Sequence, residues 1–365
     1  VMPVTVVSPG KSIAAVLYAV KNTGSTAVDG ELRLALRPFQ VLTPWQELNL
    51  TGGVSPISAV RMERGELTVE QPAGTTRVIP LAPATGGEWR VLASTFAEGK
   101  AARATRELMP AATGGADAVA ELRDPAGLPH VELVSPGFSL QPGAETTFAV
   151  IVPLHQHTLG FTASTRGDDE RLSALIREQA MSWYTELNRV VLELPPSQQR
   201  LVETFKAQQG YILVNQDGPR IQPGSRTYER SWIRDGSLTG TALLATGHTQ
   251  RVKAFLEWYA PFQFESGKVP CVVDARGADP TDEHDSHGQL IYAIWKYYRF
   301  TRDRNFLREH LPHVVRAVRF IDELRARRST PEYAQGEGLK RAMFGLVPES
   351  ISHEGYSAKP MHSYW

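Results

Sequence analysis

The chain has 365 residues, enough for two domains of ordinary size, and 42% hydrophobic with 21% charged residues is typical of a globular protein. Lysine plus arginine and aspartate plus glutamate both number 39, so the charge balance gives no indication of nucleic-acid binding. No apolar run approaches the ~20 residues of a membrane-spanning helix, and a single cysteine, Cys271, excludes an internal disulfide framework.

Residues 1–163 are rich in valine, threonine, glycine and proline and alternate between apolar and polar positions. A turn signal at Asn22-Thr23-Gly24 is followed by Leu32, Leu34 and Leu36, which lie on one face of an extended chain. The stretch 145–155 contains the apolar run 148–154 and predicts a strand that is buried on both faces. These features predict an antiparallel β-sandwich over residues 1–163.

The character of the sequence changes to helical after residue 163. Leu172, Leu175 and Ile176 begin an apolar series at helical spacing, and Pro195-Pro196 ends it, so we predict a linker helix within 164–195. Further helices are predicted over 196–214, 235–246, 249–262, 284–301 and 303–328. The apolar face of the last helix is predicted to consist of Leu307, Leu311, Val314, Val315, Val318, Ile321 and Leu324.

Three loops in the helical region concentrate residues that carry chemistry. They are YERSWIRDGS (228–237), DARGADPTDEHDSHGQ (274–289) and GLVPESISHEGYSAKPMHSYW (345–365). Each interval between them accommodates one helix out and one helix back, which would bring all three loops to the same end of a helical bundle. Long loops of this kind in a compact domain are usually functional.

The W-x-R-D sequence at Trp232, Arg234 and Asp235, which opens a predicted helix, resembles the corresponding loop of the six-hairpin glycosidases. These enzymes include glucoamylases and the glucosidase part of glycogen debranching enzymes. The order of β-sandwich, linking helix and helical domain also resembles bacterial glucoamylases and inverting disaccharide phosphorylases. The resemblance implies that residues 196–365 are the N-terminal part of an (α/α)6 barrel, or toroid, that carries the catalytic site.

The same resemblance implies a sugar-binding role for specific residues. A guanidinium donates and a carboxylate accepts, so Arg234 and Asp235 would together hold two hydroxyl groups of a sugar. The full predicted set of substrate-binding residues is Tyr228, Trp232, Arg234, Asp235, Asp285, His287, Gln289 and Trp365. The alternative is that Arg234 and Asp235 only cap a helix and that Trp232 belongs to the core.

The acids and histidines of the second loop also permit a metal site. No second motif completes a coordination shell, so sugar contact by Asp285 and His287 is the preferred interpretation and no metal or cofactor is predicted. In the third loop, Glu349 and Glu354 are the candidate catalytic acids. Because the donor of the resembling enzymes lies in or just after this loop, the acid is expected either there or immediately after Trp365.

The resulting hypothesis is a glycoside hydrolase, inverting, that acts on an α-glucan or a related oligosaccharide. A glycoside phosphorylase of the same architecture and a non-catalytic carbohydrate-binding protein are the alternatives. The only partner predicted is an oligosaccharide or polysaccharide, with no nucleic acid and no membrane span. Oligomeric state and compartment stay open, and a periplasmic or secreted location agrees with the sequence. The catalytic base of the resembling enzymes comes from a late hairpin, so we expect a fragment that lacks the complete carboxylate pair and is inactive by itself.

Overall fold

The structure is a computed structural model that describes residues 2–6, 13–37, 39–42, 53–72, 74–83, 86–96, 103–108, 119–128, 130–154, 160–163, 168–224 and 228–351. The described residues form two compact units, one up to Tyr184 and one from Thr185 onwards. The first is built on antiparallel sheets and the second on helices, so the predicted order of β followed by α is confirmed at this level. The finer limits at residues 163 and 195 stay a prediction.

The first unit contains fifteen strands among its described residues. They are β1 (Met2–Val6), β2 (Ile13–Lys21), β3 (Val28–Gly30), β4 (Arg33–Leu36), β5 (Phe39–Leu42), β6 (Gly53–Ser55), β7 (Ile57–Glu63), β8 (Glu66–Gln71), β9 (Gly74–Pro80), β10 (Arg90–Phe96), β11 (Arg103–Leu108), β12 (Val119–Leu128), β13 (His130–Val134), β14 (Phe138–Leu140) and β15 (Glu145–Pro153).

Two antiparallel sheets dominate this unit. Seven strands lie in the order β1-β2-β15-β9-β8-β7-β12, and four lie in the order β11-β10-β13-β4. One hydrophobic cluster joins them, with Phe148 and Val150 from the larger sheet and Val91 and Leu133 from the smaller one. The sheets therefore pack face to face through their alternating apolar residues.

Strand β15 is buried on both faces, as its continuous apolar sequence predicted. Ala149 and Ile151 belong to a second cluster on the opposite side of the large sheet from Phe148. There they meet Leu172 and its neighbours on helix α1 (Asp168–Leu187). The predicted linker helix thus covers the outer face of the sheet for the first part of its length.

The helical unit consists of α2 (Gln199–Val214), α3 (Ile233–Ala245), α4 (Thr249–Tyr259), α5 (Asp285–Thr301) and α6 (Arg304–Ala326), followed by the short helices α7 (Pro331–Ala334) and α8 (Leu339–Ala342). Three short strands, β16 (Ser231–Trp232), β17 (Val272–Asp274) and β18 (Gly277–Ala278), form a small antiparallel sheet before α3 and α5. The predicted positions of the long helices agree with these limits to within about three residues.

Helices α3 to α6 form two consecutive hairpins. Gly247, at φ 85°, turns the chain between α3 and α4, a conformation that favours glycine. Between α5 and α6, Arg302 is left-handed and the Asp303 side chain accepts hydrogen bonds from the amides of Asn305 and Phe306, which caps α6. Helices α3 and α5 pack on each other and begin at the same end, so the loops that precede them meet there.

The predicted apolar face of the last helix, now α6, is buried only in part: Leu324 is buried, and Leu307, Val314 and Ile321 are half-buried. Leu311, Val315 and Val318 are exposed, and the buried residues are Phe306, His310, Ala317, Phe320 and Leu324. The Gln263 side-chain amide donates to the carbonyl of His313 at 3.1 Å and so links the chain after α4 to α6. Among the described residues, no helix is both long enough and apolar enough to cross a bilayer.

Candidate functional site

The first loop enters α3 through the short strand β16. Ser231 and Trp232 pair with Val273 and Val272 of β17, so the backbone of the first loop is tied to the chain that leads to the second. The Trp232 side chain is 5% exposed and packs with Cys271. The structure thus favours the core role for Trp232 over stacking on a sugar, because its ring has almost no surface left for a ligand.

Tyr228 differs from Trp232 in its exposure. It is 57% exposed, and its ring centroid lies 6.1 Å from that of Trp232 at an interplanar angle of 47°. An aromatic ring that is fixed on one side by another ring and open on the other can offer a flat apolar face. Of the two aromatic contacts predicted in the first loop, Tyr228 therefore has the surface that the role requires.

Arg230 was missed by the sequence analysis. Its guanidinium lies 5.2 Å from the Trp232 ring centroid, and its Nε donates to the Asp274 carboxylate at 2.8 Å. Burial of Asp274 opposes ionisation, but hydrogen bonds from Arg276 and the charge of Arg230 outweigh it and lower the pKa of Asp274 to about 2. The sequence contained a signal for this contact, since Arg230 precedes Trp232 by two residues and Asp274 and Asp279 are acids in the second loop and its flank.

Arg234 joins the first loop to the second. As the second residue of α3, it points Nη1 at Oε1 of Glu283, 2.9 Å away, and at Oδ2 of Asp285, 3.1 Å away. Residues separated by about fifty positions in the sequence thus meet directly, which is the convergence that the loop spacing predicted. Asp235 lies next to Arg234 in the first turn of α3 and is half-buried.

The two carboxylate oxygens of Asp285 differ in their hydrogen bonding. Oδ2 accepts from Arg234, whereas the buried Oδ1 has no hydrogen-bond partner among the residues that the structure describes. Burial raises the pKa of Asp285, and the charge of Arg234 offsets part of the rise. A buried acceptor without a partner is costly, so it marks a place where a water molecule or a ligand hydroxyl would be held.

His287 is a buried neutral histidine in the first turn of α5. The amide of Val269 donates to Nδ1 at 3.1 Å, so the neutral tautomer carries its proton on Nε2, which has no partner within the described part of the chain. Burial lowers the pKa of His287 to about 3, and its ring packs edge-on against Phe320. His287 therefore has a buried donor without a partner in the described part of the chain, on the side of α5 that faces Phe320.

Gln289 and Ser237 connect α5 to α3 one turn inside the site. The Ser237 hydroxyl lies within hydrogen-bond distance of the Gln289 side-chain carbonyl and of the backbone carbonyl of Arg234, and its single proton can be donated to either of them. Gln289 is half-buried. This contact links the first turns of the two helices, and the direct substrate contact of Gln289 stays a prediction.

The described beginning of the third loop also reaches the second loop. The Ser350 hydroxyl accepts from the amide of His284 at 3.2 Å, and the amide of Ile351 donates to the carbonyl of Asp282 at 3.1 Å. All three loops that the sequence singled out are thereby connected. Glu354 and Trp365 lie outside the described residues.

Glu349 is held by Arg328, a buried residue that the sequence analysis missed. Its carboxylate lies 2.6 Å from Nη2 of Arg328, whose Nη1 donates to the carbonyl of Val347 at 3.0 Å. An adjacent guanidinium favours an ionised carboxylate, which is the wrong state for a proton donor. The arrangement gives Glu349 a role in anchoring the third loop.

The charged and imidazole groups do not form a metal-binding arrangement within the described ranges. No group of three or more histidine, cysteine, aspartate or glutamate side chains has the geometry to hold a metal ion there. Cys271 is buried beside the site, and burial raises the pKa of its thiol to about 12. The described side chains of the site form a set of hydrogen-bond donors and acceptors around the guanidinium of Arg234.

The chain is structurally similar to a bacterial glucoamylase and to a kojibiose phosphorylase. A bacterial glucoamylase complexed with acarbose matches 86% of this chain, with a TM-score of 0.46 and 10% identity. A protein described as a kojibiose phosphorylase from the human microbiome also matches 86% of the chain, with a TM-score of 0.45 and 11% identity. A rhamnosidase from Klebsiella oxytoca with rhamnose bound matches 81%, with a TM-score of 0.30 and 13% identity.

Both kinds of protein that the sequence resemblance named therefore occur among the similar structures. The chain spans 46% of the length of the glucoamylase, 41% of the phosphorylase and 57% of the rhamnosidase. No family model matches the sequence, and no curated protein matches it. With TM-scores below 0.5 and about a tenth of the residues identical, the likeness does not extend to the activities of those proteins.

Proposed function

We propose that the loops before α3 and α5 form a pyranose-binding subsite in a protein that acts on glycosides. The observation that carries the proposal is the contact of Arg234 with Asp285 across two loops, with Oδ1 of Asp285 buried and unpartnered among the described residues. A sugar hydroxyl both donates and accepts, so it can satisfy this acceptor.

The more specific form of the proposal is an inverting glycoside hydrolase for an α-glucan or a related oligosaccharide, with the helical unit as the first part of an (α/α)6 toroid. Inversion needs two carboxyl groups roughly 6.5–9.5 Å apart, so that a water molecule fits between one of them and the sugar. Arg234, Asp235 and Asp285 would hold the sugar in its subsite, and Tyr228 would cover one face of the ring.

A substitution at Asp285 tests the subsite. Asp285→Asn keeps the shape of the side chain and an oxygen for Arg234, but it can replace the unpartnered acceptor by an amide donor. Hydrogen bonds to charged groups contribute about 1.5–3 kcal/mol, so we expect maltose to bind roughly 10- to 100-fold more weakly in isothermal titration calorimetry. Asp282→Asn is the matched control, because the Asp282 side chain is mostly exposed and paired with Lys268.

Two results would reject the subsite. One is the absence of any maltose binding to the unmodified protein, and the other is equal affinity in Asp285→Asn with the fold intact by circular dichroism. Release of glucose from maltooligosaccharides with and without phosphate distinguishes hydrolysis from phosphorolysis.

Sugar binding without turnover is the second candidate function, and one observation favours it. Glu349, one of the two predicted acids, forms an ion pair with Arg328, a contact that serves the carboxylate and not the acid form of a proton donor. Maltose binding that weakens in Asp285→Asn, together with no product from any glucan at any pH, would support this candidate over catalysis.

A further inference from the structure

Arg230 is a buried residue that anchors the first loop on the second. Its side chain is 4% exposed, its Nε donates to the carboxylate of Asp274 at 2.8 Å, and its Nη2 lies 3.4 Å from the carboxylate of Asp279. The pKa of Asp274 is lowered to about 2, so this carboxylate is ionised at neutral pH and holds the guanidinium by charge as well as by hydrogen bonding.

The two acids belong to a hairpin whose own backbone is fixed. Asp274 ends β17, and Asp279 follows β18, where its amide donates to the carbonyl of Val272 at 3.0 Å. The Oδ1 of Asp279 accepts from the amide of Thr281 at 2.9 Å, while its Oδ2 faces Arg230. The guanidinium therefore contacts both sides of the hairpin and fixes the chain at residue 230 relative to the second loop.

The anchored guanidinium also contacts the aromatic pair of the first loop. It lies 5.2 Å from the ring centroid of Trp232, within the range of a cation–π interaction. The ring centroid of Tyr228 lies 6.1 Å from that of Trp232 on its other partner contact. Tyr228 also precedes Arg230 by only two residues. The same anchor therefore acts on Tyr228 in two ways, through the backbone and through the indole.

We propose that Arg230 is a positioning residue that presets the ring of Tyr228 for stacking on a pyranose. The inference rests on the proposed sugar subsite, in which Tyr228 covers one face of the sugar. An exposed ring that becomes ordered only when the ligand binds weakens binding by the conformational freedom that it loses. A ring that is already held in place avoids this loss, because the ion pairs of Arg230 order it when the protein folds.

Lysine is the informative replacement for Arg230. It keeps the positive charge beside Asp274, but it has neither the planar group that lies against Trp232 nor the second arm that reaches Asp279. Ordering one side chain on binding typically changes affinity several-fold, so Arg230→Lys should bind maltose about 3- to 10-fold more weakly in titration calorimetry. Arg276→Lys is the matched control and should leave the affinity unchanged, since Arg276 pairs with the same Asp274 at 2.6 Å but is 64% exposed.

A double-mutant cycle distinguishes the positioning of Tyr228 from a general loosening of the site. Tyr228→Ala removes the ring, so adding Arg230→Lys to it should cause almost no further loss of maltose affinity. Adding Arg230→Lys to Asp285→Asn should retain the full effect of about 3- to 10-fold, because the ring is still present. An effect of equal size in both backgrounds would refute the positioning role, since Arg230 would then act on the site without Tyr228.

A measurement on the ring itself needs no sugar. The protein, which has 11 tyrosines, is labelled with fluorotyrosine, and the fluorine resonance of Tyr228 is assigned by its absence from Tyr228→Phe. In Arg230→Lys this resonance should move toward that of free fluorotyrosine, because the ring leaves its place beside the indole of Trp232. In Arg276→Lys it should stay in place. An unmoved resonance in Arg230→Lys would overturn the inference.

A milder variant and the unmodified protein complete the test. If Arg230→Lys does not fold, Asp279→Asn replaces it, since it weakens one of the two contacts of the guanidinium and should give the same pattern with a smaller loss. Maltose binding that is weakened by Asp285→Asn but by neither Arg230→Lys nor Asp279→Asn would reject the positioning role and leave the subsite intact. Unchanged affinity in Tyr228→Ala would do the same. If the unmodified protein does not bind maltose, both the subsite and the role of Arg230 are rejected.

Discussion

Substitution of Gly236 by alanine should destabilise the helical unit, although alanine is the better helix former. Gly236 lies one turn into α3 and faces Phe255 of α4, which is fully buried. A methyl group at this position would lie 2.2 Å from Cζ and 2.5 Å from Cε1 of the ring. That is more than about 1 Å short of an ordinary carbon–carbon contact, so either the ring or the helix must shift.

The expected magnitude follows from two opposing effects. Overpacking of a filled core costs about 1–3 kcal/mol, and replacing a helical glycine by alanine returns about 0.5–1 kcal/mol. The net loss for Gly236→Ala should be about 1–2 kcal/mol. Gly240→Ala is the matched control, since it lies one turn further along the same buried face and its methyl group would be 3.6 Å from the nearest side-chain atom of Val252. That variant should be about 0.5–1 kcal/mol more stable than the original.

Urea denaturation followed by far-ultraviolet circular dichroism measures both variants. The chain has two compact units, so the helical transition must be fitted as its own step. Gly236→Ala should unfold at lower urea concentration than the unmodified protein, and Gly240→Ala at equal or higher concentration. If Gly236→Ala proved as stable as Gly240→Ala, the close packing of α3 on Phe255 would be refuted, and with it the helix contact that positions Arg234.

Two further predictions concern pH and the third loop. The folded pKa of His287, about 3, lies below its ordinary value of 6.5, so the contribution of His287 to stability is complete above pH 6.5. As the pH falls from 6.5 toward 3, this contribution to the free energy of unfolding is lost at up to about 1.4 kcal/mol per pH unit. In urea titrations His287→Gln should therefore lose less stability between pH 6.5 and 4, and a slope identical to that of the unmodified protein would contradict the buried neutral state. Arg328→Met should lower the free energy of unfolding by about 1–3 kcal/mol and speed amide hydrogen exchange over residues 345–351, because it removes the donor to Val347 and the partner of Glu349. Arg327→Met changes an exposed neighbour and is the control. Equal exchange in the two variants would show that Arg328 does not anchor the loop.

The sequence by itself determined the kind and order of the elements. Period-two alternation before residue 163 and helical spacing after it reflect which side chains each backbone can bury on one face, and this is local information. The same holds for β15, whose unbroken apolar sequence required burial on both faces. The loops were found in a similar way, since the spacing from Asp235 to Asp285 equals one helical hairpin plus a loop, and their contact through Arg234 follows from that topology.

Only the tertiary structure decided which face of a helix is buried and which polar groups pair. Helix α6 has apolar residues on more than one side, and the packing buries Phe306 and Phe320 while Leu311 is exposed. Trp232 is buried because β16 pairs with β17, a contact over forty residues that no local pattern encodes. Glu283 and Arg328 are ordinary charged residues in sequence. They become parts of the site because packing buries Glu283 against Arg234 and Arg328 against Glu349, and sequence spacing does not express these contacts.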